Sequence, residues 1–176
     1  MSTEREALIA LNLVPDTGPV TWRRLLGIFG SATSILSASV DDLRQRAGFG
    51  VERAHSLVET LSKIDLAGEL AKSAKMGIQI ITMADPEYPA ILAKIHDPPM
   101  ALYCYGDLQA FSAMAVAMVG TRNPTLYGVD TAHRFAFSIA SSGYCVVSGM
   151  ARGIDTASHK GAIDAKGRTI GVLGGA

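Results

Sequence analysis

The chain has 176 residues, of which 48% are hydrophobic and 18% charged, and its 16 Lys and Arg residues balance 16 Asp and Glu residues. This composition excludes an intrinsically disordered chain, which would hold fewer apolar residues and carry a net charge. The two cysteines, Cys104 and Cys145, cannot build a disulfide framework and stand in no Cys-x-x-Cys pair, so we expect both to be buried free thiols.

The sequence shows no targeting or membrane signal. Its N-terminus has neither the basic region nor the apolar stretch of a signal peptide. No uninterrupted apolar run approaches the roughly 18 residues that are needed to cross a bilayer. We therefore expect a soluble cytoplasmic protein.

The first part of the chain has the apolar spacing of short helices. Apolar residues recur at intervals of three and four, and Gly- and Pro-containing turns separate the segments. The predicted helices cover residues 4–13, 20–29, 34–37, 40–46, 51–64 and 65–76. Ser39 is the predicted N-cap of the fourth helix.

Two segments of this helical part resemble each other. VPDTGPVTWRRLL and RAGFGVERAHSLV both place a glycine-containing turn before a helix that carries arginine in its first turns. This pattern is typical of a helix-hairpin-helix, whose turn lets backbone N–H groups approach a phosphate. Arg23, Arg24 and Arg53 are then the candidate DNA contacts. The alternative is a pair of ordinary helical corners in a small bundle.

A connecting segment follows over residues 66–112. Residues 78–82 and 100–105 predict short strands, and residues 90–94 predict a short helix between them.

From residue 113 onward, apolar runs alternate with glycine turns and helices. The runs at 115–119, 144–147 and 169–173 predict strands, and helices are predicted at about 128–140 and from Ile154 or Asp155 to Gly167. This alternation predicts an α/β fold with a doubly wound parallel sheet. Because the third unit lacks its helix, we expect the sheet to be incomplete and the chain to be a fragment of a longer protein. The predicted domains are residues 1–65, the connecting segment 66–112, and residues 113–176.

The predicted strands end in residues that suit an anion. Residues 1–116 carry ten basic and thirteen acidic side chains, whereas residues 117–176 carry six basic and three acidic ones. Ligands of open parallel sheets bind beyond the carboxyl ends of the strands, where glycines let the backbone approach them. Arginines there can pair with phosphate, and Thr121 and Ser148 offer hydroxyl groups. The candidate phosphate-binding residues are Gly120, Thr121, Arg122, Ser148, Gly149, Arg152, Gly153, Gly174 and Gly175.

Several positions could support this site. Tyr127 could stack on a base or pack on the sheet. Asp155 and His159 share a helix face and could form a base-and-orienter pair, although Asp155 could instead cap the helix while His159 bonds locally. Lys160 and Arg168 add a basic surround.

Other chemistries lack their motifs. The segment from Gly149 to Gly153 is not Gly-x-Gly-x-x-Gly, and no Gly-Lys-[Ser/Thr] follows a glycine-rich loop, so no nucleotide cofactor is indicated. No Cys/His cluster has metal-ligand spacing, and no Gly-x-Ser-x-Gly elbow is present. We therefore predict no metal, no cofactor and no catalytic residue.

Three motifs follow one another in the chain: MVGTRNPTLYG, SGMARGIDTASHKGAI and GRTIGVLGGA. In this order they resemble the DNA-processing protein A family, also called DprA or Smf. The upstream segment YPAILAKIHDPPMALYCYG is similar to the segment that leads into that family's core. The family's glycine-Ser/Thr-arginine element matches Gly120 to Arg122, and its serine-glycine loop matches Ser148 to Asp155. Met150 and Ser158 are minor departures.

This resemblance implies a Rossmann-like fold that is preceded by a sterile-alpha-motif-like or helix-hairpin-helix domain. It also implies a non-enzymatic protein that binds single-stranded DNA in natural transformation, protects incoming strands and helps load the RecA recombinase. Family members continue well past residue 176, and a homodimer is implied for the full-length protein.

Two other functions fit the same sequence. A nucleotide phosphoribohydrolase could use the same fold and would release free base from a nucleoside monophosphate. An interaction module could use the helical part to dock a protein partner, with the sheet as scaffold. Deleting residues 1 to about 65 and retesting oligonucleotide binding would separate the interaction module from the DNA-binding protein.

Overall fold

The computed structural model describes residues 3–174, and the chain divides after Gly106 into two units, unit 1 before this point and unit 2 after it. Residues 66–106 therefore lie in the same unit as the first helices. The domain boundaries that the sequence suggested, at residues 65 and 112, stay a prediction. Within residues 3–174, no helix is long and apolar enough to cross a membrane.

Unit 1 is mainly helical and includes one antiparallel pair of strands. Its elements are α1 (Glu4–Asn12), α2 (Pro19–Phe29), α3 (Ala32–Leu36), α4 (Val40–Ala47), α5 (Val51–Ser62), α6 (Leu66–Lys75), β1 (Ile78–Thr82), a 3₁₀ turn (Leu92–Lys94) and β2 (Ala101–Tyr105).

Side-chain caps set several helix starts in unit 1. Thr3 and Glu6 form a capping box at α1, and Ser39 forms one at α4, as the sequence predicted for Ser39. The predicted helices 51–64 and 65–76 are separate helices in the structure because the Asp65 carboxylate accepts the Gly68 N–H at 2.9 Å and starts α6.

The core of unit 1 surrounds Trp22, which is 2% exposed. Helices α1 to α5 all contribute side chains to it, so the helical part holds one continuous apolar core. Its buried members include Ala7, Leu11, Leu25, Ile35, Leu43, Ala47, Ala54 and Leu57.

A short turn that contains two glycines joins α4 to α5. Helix α4 ends at Gly48 in a left-handed conformation, and α5 begins after Gly50 without a side-chain cap. Gly50 resembles Gly18, which also precedes its helix, α2, without a side-chain cap. These two corners are the segments whose sequences echo each other.

The arginines near these corners contact groups within unit 1. Arg23 donates to the carbonyl oxygen of His96, and Arg24 donates to the carbonyl oxygen that ends α4. The Arg53 guanidinium lies 4.8 Å from the centre of the Phe49 ring. Each guanidinium thus takes part in packing, and a DNA contact by these arginines stays a prediction.

Asp85 connects α1 to the antiparallel strand pair β1–β2 through hydrogen bonds. Its Oδ2 accepts from the Thr82 N–H at 2.8 Å, from the Thr82 hydroxyl at 3.0 Å and from Arg5 Nε at 3.1 Å. Arg5 also donates to the Ile80 carbonyl oxygen at 2.6 Å. The strand pair is therefore part of the helical unit through charge-assisted bonds.

We expect Asp85→Ala to lower the free energy of unfolding of unit 1 by about 2–3 kcal/mol, because it leaves the Thr82 N–H and Arg5 Nε without their acceptor. Urea unfolding followed by the fluorescence of Trp22, the single tryptophan of the chain, reports on unit 1. Glu59→Ala is the control, because the Glu59–Lys63 pair is exposed and its loss should barely move the urea midpoint. Equal midpoints for both variants would contradict the role given to Asp85.

Unit 2 is a small parallel sheet with two crossover helices. Its elements are a 3₁₀ turn (Leu108–Ser112), β3 (Ala115–Ala117), α7 (Leu126–Ser141), β4 (Cys145–Ser148), α8 (Ile154–Asp164) and β5 (Thr169–Gly171). The strand order is β3-β4-β5 and all pairs are parallel, with Val116 opposite Val146 and Val146 opposite Thr169. This confirms the predicted α/β parallel sheet after a small all-α part.

Both helices of unit 2 cover the same face of the sheet. Val146 of the central strand is fully buried and clusters with Ala136 and Ala140 of α7 and with Ala162 of α8. The small side chains let the helices lie close to the strand and to each other. In each crossover, the loop that leads into the helix begins at the carboxyl end of the preceding strand.

The strands are shorter than the apolar runs that predict them. The runs at 115–119 and 169–173 leave the sheet after Ala117 and Gly171, and Val119 and Leu173 are exposed. The ladder closes with the bonds from Met118 N–H to Val147 O and from Val172 N–H to Ser148 O. Apolar periodicity marks the run but not the residue at which backbone pairing stops.

Candidate nucleic-acid interface

The loops after β3 and β4 meet at the start of α8. Ile154 donates its N–H to the Thr121 carbonyl oxygen at 3.2 Å. A Cβ on Gly120 would lie 2.7 Å from Ile154 Cγ1, and one on Gly153 would meet the Thr121 carbonyl oxygen. The backbones of the two corners are therefore in direct contact, as the parallel sheet predicts.

The loop after β4 also contacts the end of β5. Met150 lies over Gly171, where a Cβ would be 2.6 Å from the thioether sulfur. Val172 donates to the Ser148 carbonyl oxygen at 2.8 Å. Gly174 follows this contact and is exposed, whereas Gly175 lies outside the described residues. All three strand ends thus converge on one edge of the sheet.

This edge presents backbone N–H groups. Within residues 3–174, the amides of Gly120, Thr121 and Arg122 after β3 have no protein acceptor. The same is true of four amides in the next loop, those of Gly149, Met150, Arg152 and Gly153. Clustered N–H groups that lack a protein acceptor are donors of the kind that can bind phosphate oxygens.

Two arginines stand beside these amides in the chain. Arg122 and Arg152 are exposed, and within the described part of the chain neither forms an ion pair. A Cβ on Gly153, which follows Arg152, would lie 2.9 Å from the Arg122 carbonyl carbon, so the two arginine backbones are close. Both guanidinium groups are available for a charge-assisted contact with an anion.

The Thr121 and Ser148 hydroxyls, predicted as phosphate donors, differ in availability. Thr121 is exposed, and its Oγ1 accepts the Asn123 N–H at 3.1 Å, which leaves its proton free to donate. Ser148 is 3% exposed and donates to the Met118 carbonyl oxygen at 2.7 Å. The Ser148 hydroxyl therefore joins β4 to the chain after β3, and its proton is not free for an anion.

His159 faces the sheet interior rather than the loops. It is 8% exposed and its Nδ1 lies 2.7 Å from the Thr169 hydroxyl, which donates to the Val146 carbonyl oxygen. The His159 ring is thereby joined to the first residue of β5. Within residues 3–174, His159 forms neither the predicted base-and-orienter pair with Asp155 nor a bond to its nearest neighbours in the chain; its partner, Thr169, is ten residues away.

Asp155 is not the N-cap of α8, because that position is Gly153. It is the second residue of the helix, and its carboxylate accepts the Ala151 N–H at 3.3 Å. The carboxylate thereby folds back over the loop that precedes the helix.

Two of the supporting positions lie away from the converging loops. Arg168 directly precedes β5 and so stands at its amino end, opposite the edge at which the three loops converge. Its carbonyl oxygen accepts the Val146 N–H at 3.0 Å, which places Arg168 near the start of β4. Burial raises the pKa of the neighbouring Cys145 thiol, and the Arg168 charge opposes this shift. Lys160 is exposed in the second half of α8.

The Cys104 thiol is only half-buried, so the prediction of two buried thiols is right for Cys145 alone.

Tyr127 does not pack on the sheet. It is the second residue of α7 and is 79% exposed, so the packing alternative is wrong. Thr125 caps the start of this helix by accepting the Gly128 N–H at 3.1 Å. Tyr127 also follows Arg122 closely in the chain. An exposed ring at this place is available for stacking.

The sequence did not indicate the positive φ of Met150, 61°, or its contact over Gly171. It also did not indicate the bond from the Thr156 hydroxyl to the Ala151 carbonyl oxygen. A threonine at the third position of a helix, after a glycine turn, is the signal that could have pointed to such a bond.

The fold is that of a Rossmann-like α/β unit joined to a helical unit, and exposed arginines lie at the carboxyl ends of its strands. The chain belongs to the family described as DNA recombination-mediator protein A, whose sequence model matches residues 79–176. It is 43% identical to the DNA processing protein DprA of Bacillus subtilis over 107 residues, which cover 60% of this chain and 36% of that protein. It is 30% identical to the protein Smf of Synechocystis over 177 aligned positions, which cover 98% of this chain and 44% of that protein.

A solved structure supports the fold over nearly the whole chain. The X-ray structure of DprA from Streptococcus pneumoniae matches with a TM-score of 0.74 at 24% identity, covering 99% of this chain and 59% of that one. The chain spans less than half the length of the two relatives above.

Proposed function

We propose that the protein binds single-stranded DNA and acts as a recombination mediator in natural transformation. In this role it protects incoming strands and helps load the RecA recombinase, and it works without catalysing a reaction. Membership in the recombination-mediator family supports the general role. The same likeness is the basis for proposing RecA as partner and a homodimer for the full-length protein.

The observation that carries this proposal is the pairing of free cations with free amides at one edge of the sheet. Arg122 and Arg152 are exposed, and they flank loops whose amides have no acceptor within residues 3–174. Phosphate is the group that such a set of donors recognises best. Because backbone phosphates are common to all sequences, we expect binding that is largely independent of base sequence.

Tyr127 adds a base contact to the proposed site. Its ring is exposed at the start of α7, four residues after Asn123 in the chain that leaves the Gly120 corner. A single strand can turn its bases outward onto such a ring, whereas a duplex keeps them stacked inside. We therefore propose that Tyr127 favours single strands over duplex.

Binding of a fluorescent oligothymidine, followed by anisotropy, should weaken as salt rises, with a log–log slope of about −0.7 for each phosphate that is neutralised. Two arginine contacts therefore give a slope near −1.4, to which other basic residues add. A duplex of equal length serves as competitor and should displace the single strand poorly. Salt-independent binding, or equal competition by the duplex, would contradict the proposed function.

A further inference from the structure

The first turn of α8 holds both backbone polar groups of Ala151. Asp155 Oδ2 accepts the Ala151 N–H at 3.3 Å, and the Thr156 hydroxyl donates to the Ala151 carbonyl oxygen at 2.7 Å. We call these three residues the Ala151 clamp. Because Ala151 lies between Met150 and Arg152, the clamp fixes the loop from which Arg152 extends.

The clamp also sets a negative charge among the proposed phosphate donors. Asp155 is 6% exposed, and its Oδ2 lies 3.0 Å from the place of a Cβ on Gly149. The carboxylate thus lies beside the loop whose free amides include those of Gly149 and Met150. A carboxylate near a helix N-terminus is stabilised there, but it repels a second anion that approaches the same donors.

We propose that Asp155 is a positioning residue with two opposed effects on DNA binding. Its hydrogen bond holds the loop in the shape that presents Arg152, and its charge keeps the affinity for phosphate below the level that the donors alone would give. This inference rests on the proposed function. A mediator that passes its strand to a recombinase needs such a limit, because a strand held too tightly is not released.

Asp155→Asn separates the two effects, because the amide oxygen can still accept the Ala151 N–H while the charge is lost. We expect this variant to bind oligothymidine about threefold to tenfold more tightly than the wild type at low salt, with the difference shrinking as salt rises. Asp155→Ala loses the bond as well and should bind more weakly than Asp155→Asn. A purely structural role for Asp155 predicts no tightening in either variant.

Asp164→Asn is the matched control. It removes one negative charge from the same helix, about 14 Å along the axis from Asp155, and should leave the affinity nearly unchanged. If Asp155→Asn binds as the wild type does, or more weakly, the proposal is overturned. If Asp164→Asn tightens binding equally, the effect belongs to the net charge and the proposal is also overturned.

Hydrogen exchange of the Ala151 amide tests the clamp apart from DNA binding. We expect this amide to be protected in the wild type and in Asp155→Asn, and to exchange faster in Asp155→Ala. Equal exchange in the wild type and in Asp155→Ala would overturn the clamp. A wild-type protein that binds no oligonucleotide while its Ala151 amide is protected would instead refute the proposed function.

Discussion

Arg122→Ala is expected to weaken the binding of single-stranded oligothymidine by about tenfold to a hundredfold, which corresponds to the loss of one charge-assisted contact to phosphate. Arg122 is exposed beside three amides without an acceptor in residues 3–174, so nothing else in the loop can replace its charge. The salt dependence should fall with it, by about 0.7 in log–log slope. Anisotropy titrations at several salt concentrations measure both quantities.

Arg134→Ala is the control for this prediction. Arg134 lies on α7 of the same unit, is 80% exposed and pairs with Asp130 at 3.9 Å. Its loss changes the net charge by the same amount, but it leaves the Gly120 corner intact. If both substitutions weakened binding equally, the site would be no more than a diffuse basic surface. Unchanged affinity in Arg122→Ala would show that the strand binds elsewhere.

The sequence predicts the site's location because location follows from topology. Three apolar runs with glycine corners imply a parallel sheet, and the carboxyl ends of parallel strands meet at one edge. Gly120, Gly149 and Gly174 are therefore predictable as neighbours of that edge. The contacts from Thr121 to Ile154 and from Met150 to Gly171 agree with this expectation.

Side-chain roles were harder to predict than positions. Ser148 ends a strand next to a glycine, and the sequence cannot say that its hydroxyl turns inward to the Met118 carbonyl oxygen. The partner of His159 is ten residues away and depends on the register of β5 against β4. Arg168, by contrast, precedes its strand, so its place at the amino edge was available from the sequence itself.

The loop between β4 and α8 has a backbone conformation that its residues do not suggest. Met150 adopts a φ of 61°, although residues with a side chain rarely do so. Two contacts hold it in this conformation. Asp155 and Thr156 bond to the backbone of Ala151, and the Met150 side chain packs over Gly171. Such a conformation results from contacts on both sides of the loop, and local propensity does not contain that information.

Gly153→Ala is expected to lower the free energy of unfolding of unit 2 by about 2–4 kcal/mol and to abolish measurable binding of oligothymidine. Gly153 has a φ of 84°, and a Cβ there would meet the Thr121 carbonyl oxygen and lie 2.9 Å from the Arg122 carbonyl carbon and from Pro124 Cδ. These are backbone and ring atoms, so no side chain can rotate away. The corner that carries Arg122 must move from the loop that carries Arg152, and circular dichroism and anisotropy measure the two losses.

Gly143→Ala separates the clash from the strain of a positive φ. Gly143 has a φ of 86°, nearly that of Gly153, yet in the described part of the chain no heavy atom outside its chain neighbours lies within 4 Å of its added Cβ. The substitution should lower the free energy of unfolding of unit 2 by only about 1–2 kcal/mol. It should leave oligothymidine binding unchanged, because Gly143 follows α7 at the end of that helix that is far from the Gly120 corner. Equal effects of the two substitutions on binding would mean that close approach of the two corners is not what builds the site. The closeness of the Arg122 and Arg152 backbones would then be incidental, and the phosphate donors would have to act separately.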